Sequence, residues 1–310
     1  MSLIKFSNIL DNDELERIIN GLKKNNRINE ICFNYNQLSS IPNEIGDLNK
    51  LKKIDIQFNN LLFLPSEMGL LDKLIHLYVN NNSLIKIPQE IGMLKRLEYL
   101  HLHVNQLKTL PSEIGELINL KELNLTNNEL IAIPTELGQC NNLKKLYLDN
   151  NKLIAIPSEF GQLKNLKILS VSNNQIKNIP SEFGELDKLE ELNINSNLIE
   201  HIPSEFGQLK KLKILNLDNN HLLDLPCELG ELENLKILNL AYNNLNTIPY
   251  DLKNATNLEE INLQKNDLLN LSNDSILKMT NLKKLKISCD EFITIRDDLE
   301  NIPNSILEII

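Results

Sequence analysis

The chain contains 310 residues and has a formal net charge of −10 with a pI near 5.1, so nucleic acids and anionic membranes are not expected partners. No apolar run reaches the roughly 18 residues that a membrane-spanning helix needs. The first residues lack the continuous apolar core of a secretory signal, which predicts a cytoplasmic protein.

Residues 1–27 precede the periodic part of the chain and predict a helical N-terminal cap. Asp11 begins an acidic stretch that suits the start of a helix, and Leu15, Ile19 and Leu22 follow at helical spacing. We interpret this segment as an amphipathic helix that covers the apolar edge of the first repeat.

A repeat with a period of 23 residues occupies positions 28–281, in about eleven copies. Two adjacent copies are LKKLYLDNNKLIAIPSEFGQLKN (Leu143–Asn165) and LKILSVSNNQIKNIPSEFGELDK (Leu166–Lys188). Ten of the eleven prolines fall at one repeat position, and nine of the ten glycines fall at another. This punctuation sets the frame of the repeat along the whole region.

Each copy predicts a strand, a turn and a helical segment. The motif LxxLxL alternates apolar and polar residues, as a short strand with one buried face does. An asparagine follows at fixed spacing, from Asn36 to Asn266, and we expect these amides to form a ladder that satisfies the turn backbone. Ile/Leu-Pro-x-Glu then predicts a helical turn with proline at its first position. One copy cannot bury enough apolar surface alone, so the copies must stack.

The pattern LxxLxLxxNxLxxIPxEIGxL resembles the 23-residue leucine-rich repeat of the Ras-group intracellular proteins, which include Ras suppressor, Ras-binding leucine-rich-repeat scaffolds and Scribble-like arrays. The similarity is close from Ile28 to Asn257 and looser up to Asn281. It implies an α/β solenoid: a horseshoe with a concave parallel β-sheet and short helices or 3-10 turns on the convex side. It also implies a partner protein on the concave face, with a Ras-like GTPase or a protein phosphatase catalytic subunit as the partner class.

The stretch EYLHLHVN (Glu98–Asn105) contains two histidines two residues apart. In the repeat frame its polar rings point to the concave face, beside the polar rings of the preceding strand. A zinc site would need further ligands, and cysteine or aspartate residues do not complete a tetrahedral set nearby in the repeat frame. A catalytic histidine would need a site that excludes water, and an open sheet face does not provide one. Ordinary surface variation and a protein-binding hot spot both remain open. The predicted partner-binding patch contains Phe58, His76, Tyr78, Tyr99, His101, His103 and Tyr147.

A second patch on the predicted concave face is apolar, and exposed aliphatic residues there favour a binding role. The remaining concave positions mix acidic residues with lysines, which is not the basic stripe of a nucleic-acid-binding protein. The second patch contains Ile168, Ile214, Ile237 and Tyr242.

The C-terminal region, residues 282–310, is interpreted as a degenerate last repeat followed by a cap. It lacks the repeat glycine and replaces the turn asparagine with Asp290. A terminal segment of this kind is expected to shield the end of the stacked core.

No sequence motif indicates an enzyme, a cofactor or a metal site. The four cysteines form no CxxC pair, and Cys140 takes a position that is leucine in other repeats, so we expect it to be a small core residue. The sequence therefore predicts a non-enzymatic interaction scaffold or regulatory adaptor in small-GTPase or phosphatase signalling. The alternative is a microbial effector or surface-recognition protein that acts on a host protein. A zinc or catalytic centre around His76, His101 and His103 is a third hypothesis.

Overall fold

The computed structural model describes residues 3–6, 11–23, 27–271, 273–295, 297–299, 302–303 and 305–310. Parts of both predicted caps, at 1–27 and 282–310, lie outside these residues. The chain forms two compact units, Met1–Lys152 and Leu153–Ile310, which are described in turn.

In the first unit the strands pair in parallel, and each strand lies beside the next one in the chain. Along the chain, helix α1 (Asn12–Leu22) comes between the first two strands. The described strands are β1 (Leu3–Lys5), β2 (Glu30–Cys32), β3 (Lys53–Asp55), β4 (His76–Tyr78), β5 (Tyr99–His101), β6 (Glu122–Asn124) and β7 (Lys145–Tyr147). The 3-10 helices are Asn43–Asp47, Ser66–Leu70, Gln89–Met93, Ser112–Glu116 and Thr135–Gln139.

The second unit repeats this arrangement of parallel strands and 3-10 helices. Its described strands are β8 (Ile168–Ser170), β9 (Glu191–Asn193), β10 (Ile214–Asn216), β11 (Ile237–Asn239), β12 (Glu260–Asn262), β13 (Lys284–Ile287) and β14 (Leu307–Ile309). The helices are α2 (Asn273–Lys278) and α3 (Cys289–Thr294), with 3-10 helices at Ser158–Gln162, Ser181–Glu185, Ser204–Gln208, Cys227–Glu231, Tyr250–Asn254 and Asp297–Leu299.

The core of each unit lies between the strands and the 3-10 helices. In strands β2 to β12 the middle residue points inward, as Leu77 and Leu100 do with no exposed surface, while the residues on either side of these two face the open side of the sheet. Cys140 is also fully buried, which confirms it as a core residue. The predicted α/β solenoid of parallel strands and 3-10 turns is confirmed.

The predicted asparagine ladder is also present, and it joins consecutive repeats. The Asn128 side-chain amide donates to the carbonyl of Leu125 at 2.9 Å and to the carbonyl of Leu102 in the preceding repeat at 3.0 Å. Its Oδ1 atom accepts from the backbone N–H of Leu107 at 3.0 Å. Each such amide therefore satisfies backbone groups that the turn leaves without ladder partners.

The sequence predicted the repeat proline at the first helical position, and this prediction is wrong. Pro111 has φ −71° and ψ 148°, an extended conformation that places it just before the 3-10 helix, and its carbonyl accepts from Ile114 N–H at 3.1 Å. The 3-10 segments of consecutive repeats stack closely. A Cβ atom added to Gly92 would lie only 2.6 Å from the Glu113 carbonyl oxygen. That contact explains the repeated glycine.

The N-terminal helix is confirmed, and the residues that cap it are acidic. Glu14 N–H donates to Asp11 Oδ1 at 2.8 Å and Asp11 N–H donates to Glu14 Oε2 at 3.4 Å, a reciprocal capping box. Leu15 and Ile19 are fully buried. The additional strand β1, which precedes the helix and pairs with β2, was not predicted. The roles of the two terminal segments as caps stay predictions.

Candidate protein-binding surface

Strands β4 and β5 bring together most of the first predicted patch. His76 and Tyr78 flank the buried middle residue of β4, and Tyr99 and His101 flank that of β5, so all four rings face the open side of the sheet. His103 follows two residues after β5 and continues the same alternation. We call these five residues the aromatic–histidine cluster.

The rings of the cluster are in direct contact across the two strands. In the strand register His76 lies beside Tyr99, and their rings stack with centroids 4.8 Å apart and an interplanar angle of 13°. Tyr78 lies beside His101 at 4.7 Å and 37°. The His101 and His103 centroids are 5.9 Å apart. The cluster is therefore one continuous, half-exposed ring surface.

Charged side chains border the cluster on both sides. His101 Nε2 lies 3.1 Å from Glu122 Oε1, and Lys145 Nζ lies 3.4 Å from the other oxygen of that carboxylate. On the other side, Lys53 Nζ lies 5.3 Å from the centroid of the Tyr78 ring. An aromatic centre with a mixed-charge border resembles the core and rim of a protein interface.

Partial burial favours the neutral form of two histidines in the cluster, His76 and His103. Burial is the main cause that lowers the pKa of His103, and the neighbouring His101 adds to it. Burial also lowers the pKa of His76, with a smaller contribution from Lys53. Burial and the nearby Asp55 raise the pKa of Tyr78. These shifts favour the uncharged forms of His76, Tyr78 and His103, which suits contact with an apolar or aromatic surface.

Two polar atoms at one edge of the cluster have no hydrogen-bond partner among the described residues. They are His103 Nδ1 and Asn80 Oδ1, and both are buried. Asn80 uses its amide nitrogen, which donates to Gln57 Oε1 at 2.9 Å. Unpaired buried groups are uncommon in folded proteins, so this edge retains unused hydrogen-bonding capacity.

The structure places the other residues of the first patch apart from the cluster. Phe58 lies in the turn after β3, with φ of 56°, and stacks on Tyr35 with centroids 4.4 Å apart. Tyr35 was not predicted, although it precedes Phe58 by one repeat. Tyr147 ends β7 and is separated from the strand of His101 by Asn124 of β6.

The second patch is only partly contiguous. Ile214 and Ile237 are neighbours in the register of β10 and β11, whereas Glu191 of β9 separates Ile168 from Ile214. Tyr242 lies in a turn, at φ of 53°, and is 57% exposed. The apolar face therefore consists of two adjacent isoleucines rather than four clustered residues.

The described residues contain no group of three or more histidine, cysteine or acidic side chains arranged to hold a metal ion. Among the same residues, none of the helices is long and apolar enough to cross a bilayer.

Comparison with known proteins assigns the family. Residues 30–130 match the leucine-rich repeat region, and residues 118–176, 141–199, 164–222 and 210–268 match the leucine rich repeat. A leucine-rich-repeat protein of Leptospira interrogans is 31% identical, with a TM-score of 0.64 and alignment over 100% of this chain and 90% of that one. The chain belongs to the leucine-rich-repeat family.

Other solved structures are similar in fold. An internalin of Listeria monocytogenes, InlF, has 24% identity and a TM-score of 0.74 over 87% of this chain and 76% of that one. A chain in the Toll–Spatzle complex of Drosophila has 25% identity and a TM-score of 0.76, covering 87% of this chain and 38% of that one. Among curated proteins, none matches this chain.

Proposed function

We propose that the protein is a cytoplasmic, non-enzymatic interaction scaffold or regulatory adaptor that binds a partner protein through the aromatic–histidine cluster. Leucine-rich-repeat proteins commonly act in protein–protein interaction, and solenoids of this kind present extended binding surfaces. The observation that carries the proposal is the contiguous stack of rings from β4 and β5 on the open side of the sheet.

The physical argument rests on amphipathic rings that are already ordered. Tyrosine and histidine bury apolar area and still offer a hydrogen-bonding tip, which makes tyrosine frequent in binding hot spots. Because neighbouring rings hold one another, a partner would lose little additional side-chain entropy on contact with them.

The partner class is proposed as a Ras-like GTPase or a protein phosphatase catalytic subunit. Similarity of the repeat pattern to the Ras-group intracellular proteins supports this class. The Toll–Spatzle complex supports the broader idea that a protein is the ligand.

A second candidate is a microbial effector or surface-recognition protein that acts on a host protein. The 31% identity with a protein of Leptospira interrogans favours it, as does the fold similarity to a Listeria internalin. Immunodetection of the protein in the culture medium of intact source cells would support this candidate. Strict retention inside the cells would favour the scaffold.

The test of the binding surface is a quantitative pull-down from a lysate of the source organism, with mass spectrometry of captured proteins. The bait is the wild type or the triple variant Tyr78→Ala/Tyr99→Ala/His101→Ala. A matched control, Asn239→Ala/Glu260→Ala/Asn262→Ala, changes the same repeat positions on β11 and β12. Circular dichroism establishes that all three are folded.

We expect the wild type and the control to capture the same partner and the cluster variant to lose it. A hot-spot truncation typically costs about 2 kcal/mol or more, roughly 30-fold in affinity for each residue. Unchanged capture by the cluster variant would contradict the proposed surface. Captured proteins that include neither a GTPase nor a phosphatase subunit would contradict the partner class.

A further inference from the structure

Asp218 lies two residues after β10, on the open side of the second unit, and one of its carboxylate oxygens is unpaired. The Oδ1 atom is buried, and no described residue donates a hydrogen bond to it. The backbone around it is held firmly: Ser196 N–H donates to the Asp218 carbonyl at 2.9 Å, and Asn219 N–H donates to the Ala241 carbonyl at 2.8 Å. Asp218 is a half-buried carboxylate on a well-ordered scaffold.

The missing partner has a cause in the sequence. Elsewhere in the protein, side chains at this repeat position form hydrogen bonds between consecutive repeats. The Ser172 hydroxyl donates to Asn195 Oδ1, and in the first unit the Asn80 amide makes the same kind of bond to the preceding repeat. In the repeat after Asp218, the same position is Ala241, and a methyl group has no donor. In the preceding repeat, Asn195 Nδ2 donates to Ser196 Oγ at 3.4 Å instead, so neither neighbour at this position donates to Asp218.

None of the described residues supplies a cation to Asp218 either. Burial alone raises the pKa of its carboxyl, without a contribution from any charged neighbour. Two acidic residues of the second unit show the contrast: Lys213 Nζ lies 2.7 Å from Glu190, and Lys286 Nζ lies 2.6 Å from Glu260. Buried or half-buried charges are normally paired, so a missing internal cation marks a position that an external one can fill.

We propose that Asp218 binds a cationic side chain, a lysine ammonium or an arginine guanidinium, that a partner protein presents to the open side of the second unit. This contact rests on the proposed protein-binding function and adds a site separate from the aromatic–histidine cluster. Part of the carboxylate's desolvation is already present in the free protein, so a bound cation adds attraction with little new cost on the Asp218 side. The terminal torsion of aspartate is soft, so either oxygen can turn outward.

The surroundings favour a peptide segment over an inorganic ion. One carboxylate does not make a calcium site, which takes six to eight oxygen ligands. Ile214 lies on the same face four residues before Asp218, roughly 13 Å along the chain, and aligns with Ile237. An extended segment that covers both features would place an apolar residue on the isoleucines and a basic residue about four positions away.

The test uses a random dodecapeptide library displayed on phage and selected on the folded wild-type protein. Selected peptides are synthesised, and their affinities are measured by fluorescence anisotropy. We expect enrichment of a lysine or arginine, and a loss of about 10-fold or more in affinity for Asp218→Asn. Ala241→Asn, which offers Asp218 an internal donor and leaves its charge in place, should also weaken binding. Asp149→Asn, at the same repeat position in the first unit, is the matched control and should bind normally.

Peptide variants separate the two cations. Exchange of lysine for arginine tests which head group fits, and exchange for glutamine should weaken binding by about the same factor as Asp218→Asn in either case. Selection without basic enrichment, or equal affinity for Asp218→Asn, would overturn the proposal. The variant Tyr78→Ala/Tyr99→Ala/His101→Ala is measured with the same peptides. Binding that survives in this variant and fails in Asp218→Asn supports the Asp218 site even if the cluster proves to have no role.

Discussion

Neighbouring repeats determine the charge state of individual acidic residues. Glu190 lies between Lys167 and Lys213, whose Nζ atoms are 2.8 and 2.7 Å from its carboxylate, and these bonds lower its pKa to about 2. Asp218 has no such neighbour, and burial raises its pKa instead. The pKa values of the two carboxylates therefore shift in opposite directions, because two lysines pair with Glu190 whereas Asp218 is half-buried without a cation.

The first prediction concerns the stability of Asp218→Asn as a function of pH. Since the folded pKa of Asp218 is raised above its unfolded value, the folded state holds the proton more tightly and loses stability as the pH rises through that folded pKa. Removing the ionisation should raise the Tm at pH 7, and this gain should shrink as the pH falls below about 4. Thermal melts of wild type and variant from pH 3 to 8 measure the difference, with Asp149→Asn as the control for the substitution itself. A lower Tm at pH 7 would mean that the carboxylate makes a structural bond.

At this same scale, the sequence predicts which residues share a face but not how their polar atoms pair. Alternation and the 23-residue period put His76 beside Tyr99 and Tyr78 beside His101, and the register confirms both pairs. The unpaired oxygen of Asp218 depends on side-chain rotamers, which the sequence does not reveal. The neighbouring Ala241, which offers no donor, can be found by comparing this repeat position across successive copies.

Among the structural elements, the turns that follow strands β2 to β12 share one conformation. Each of these turns contains one residue in the left-handed region, where asparagine is tolerated and bulky or β-branched residues are strained. Val104 is β-branched, has φ of 54° and is 40% exposed. The described residues at this position are Tyr35, Phe58, Asn81, Val104, Asn127, Asn150, Asn173, Ser196, Asn219, Tyr242 and Lys265.

The second prediction is a reciprocal pair of turn substitutions in adjacent repeats. Val104→Asn should stabilise the protein by about 1 kcal/mol, because it relieves backbone strain and gives up little buried surface. Asn127→Val, at the equivalent position of the next repeat, should destabilise it by a similar amount. Urea unfolding at constant m-value measures both. If Val104→Asn lowers the stability, the valine side chain contributes packing that outweighs the strain.

The features that the sequence did not predict are either very short or allow more than one backbone conformation. Strand β1 spans three residues, Leu3–Lys5, too few to show alternation, and only pairing with β2 defines it. The repeat proline precedes its 3-10 helix because an extended ψ leads the chain into the turn, and proline accepts that conformation as readily as a helical one. Phe58 and Tyr242 fall in turns because the strands end three residues or more before them.

For the molecule as a whole, the repeat determines the fold, and the ends are predicted to close the core. Within each unit the internal repeats stack on their neighbours, and we expect the last full repeat to depend on the C-terminal segment. Strand β13 pairs with β12, and Leu285 and Ile287 are fully buried there. The periodicity predicts the internal repeats well and the ends poorly, because the terminal segments have no repeat signal.

The third prediction is that residues 282–310 act as a cap. Their deletion should expose the apolar side of the repeat that contains Leu258 and Leu263, both fully buried, and should lower the Tm and promote aggregation. Deletion of residues 307–310 alone, which removes β14, should have a smaller effect. Circular dichroism and size-exclusion chromatography measure both. A Tm unchanged by the longer deletion would show that the segment has no capping role.

The asparagine ladder has a consequence for the evolution of the protein. At Asn105, Asn128 and Asn220 its bonds span the same numbers of residues. The amide oxygen accepts from a backbone N–H 21 positions earlier, and the amide nitrogen donates to a carbonyl 26 positions earlier. Within either unit, a duplication or loss of 23 codons would therefore recreate every such bond at the new junction. Unequal recombination between repeats can change the length of the gene in steps that the fold accepts, and each added copy offers new surface positions for selection.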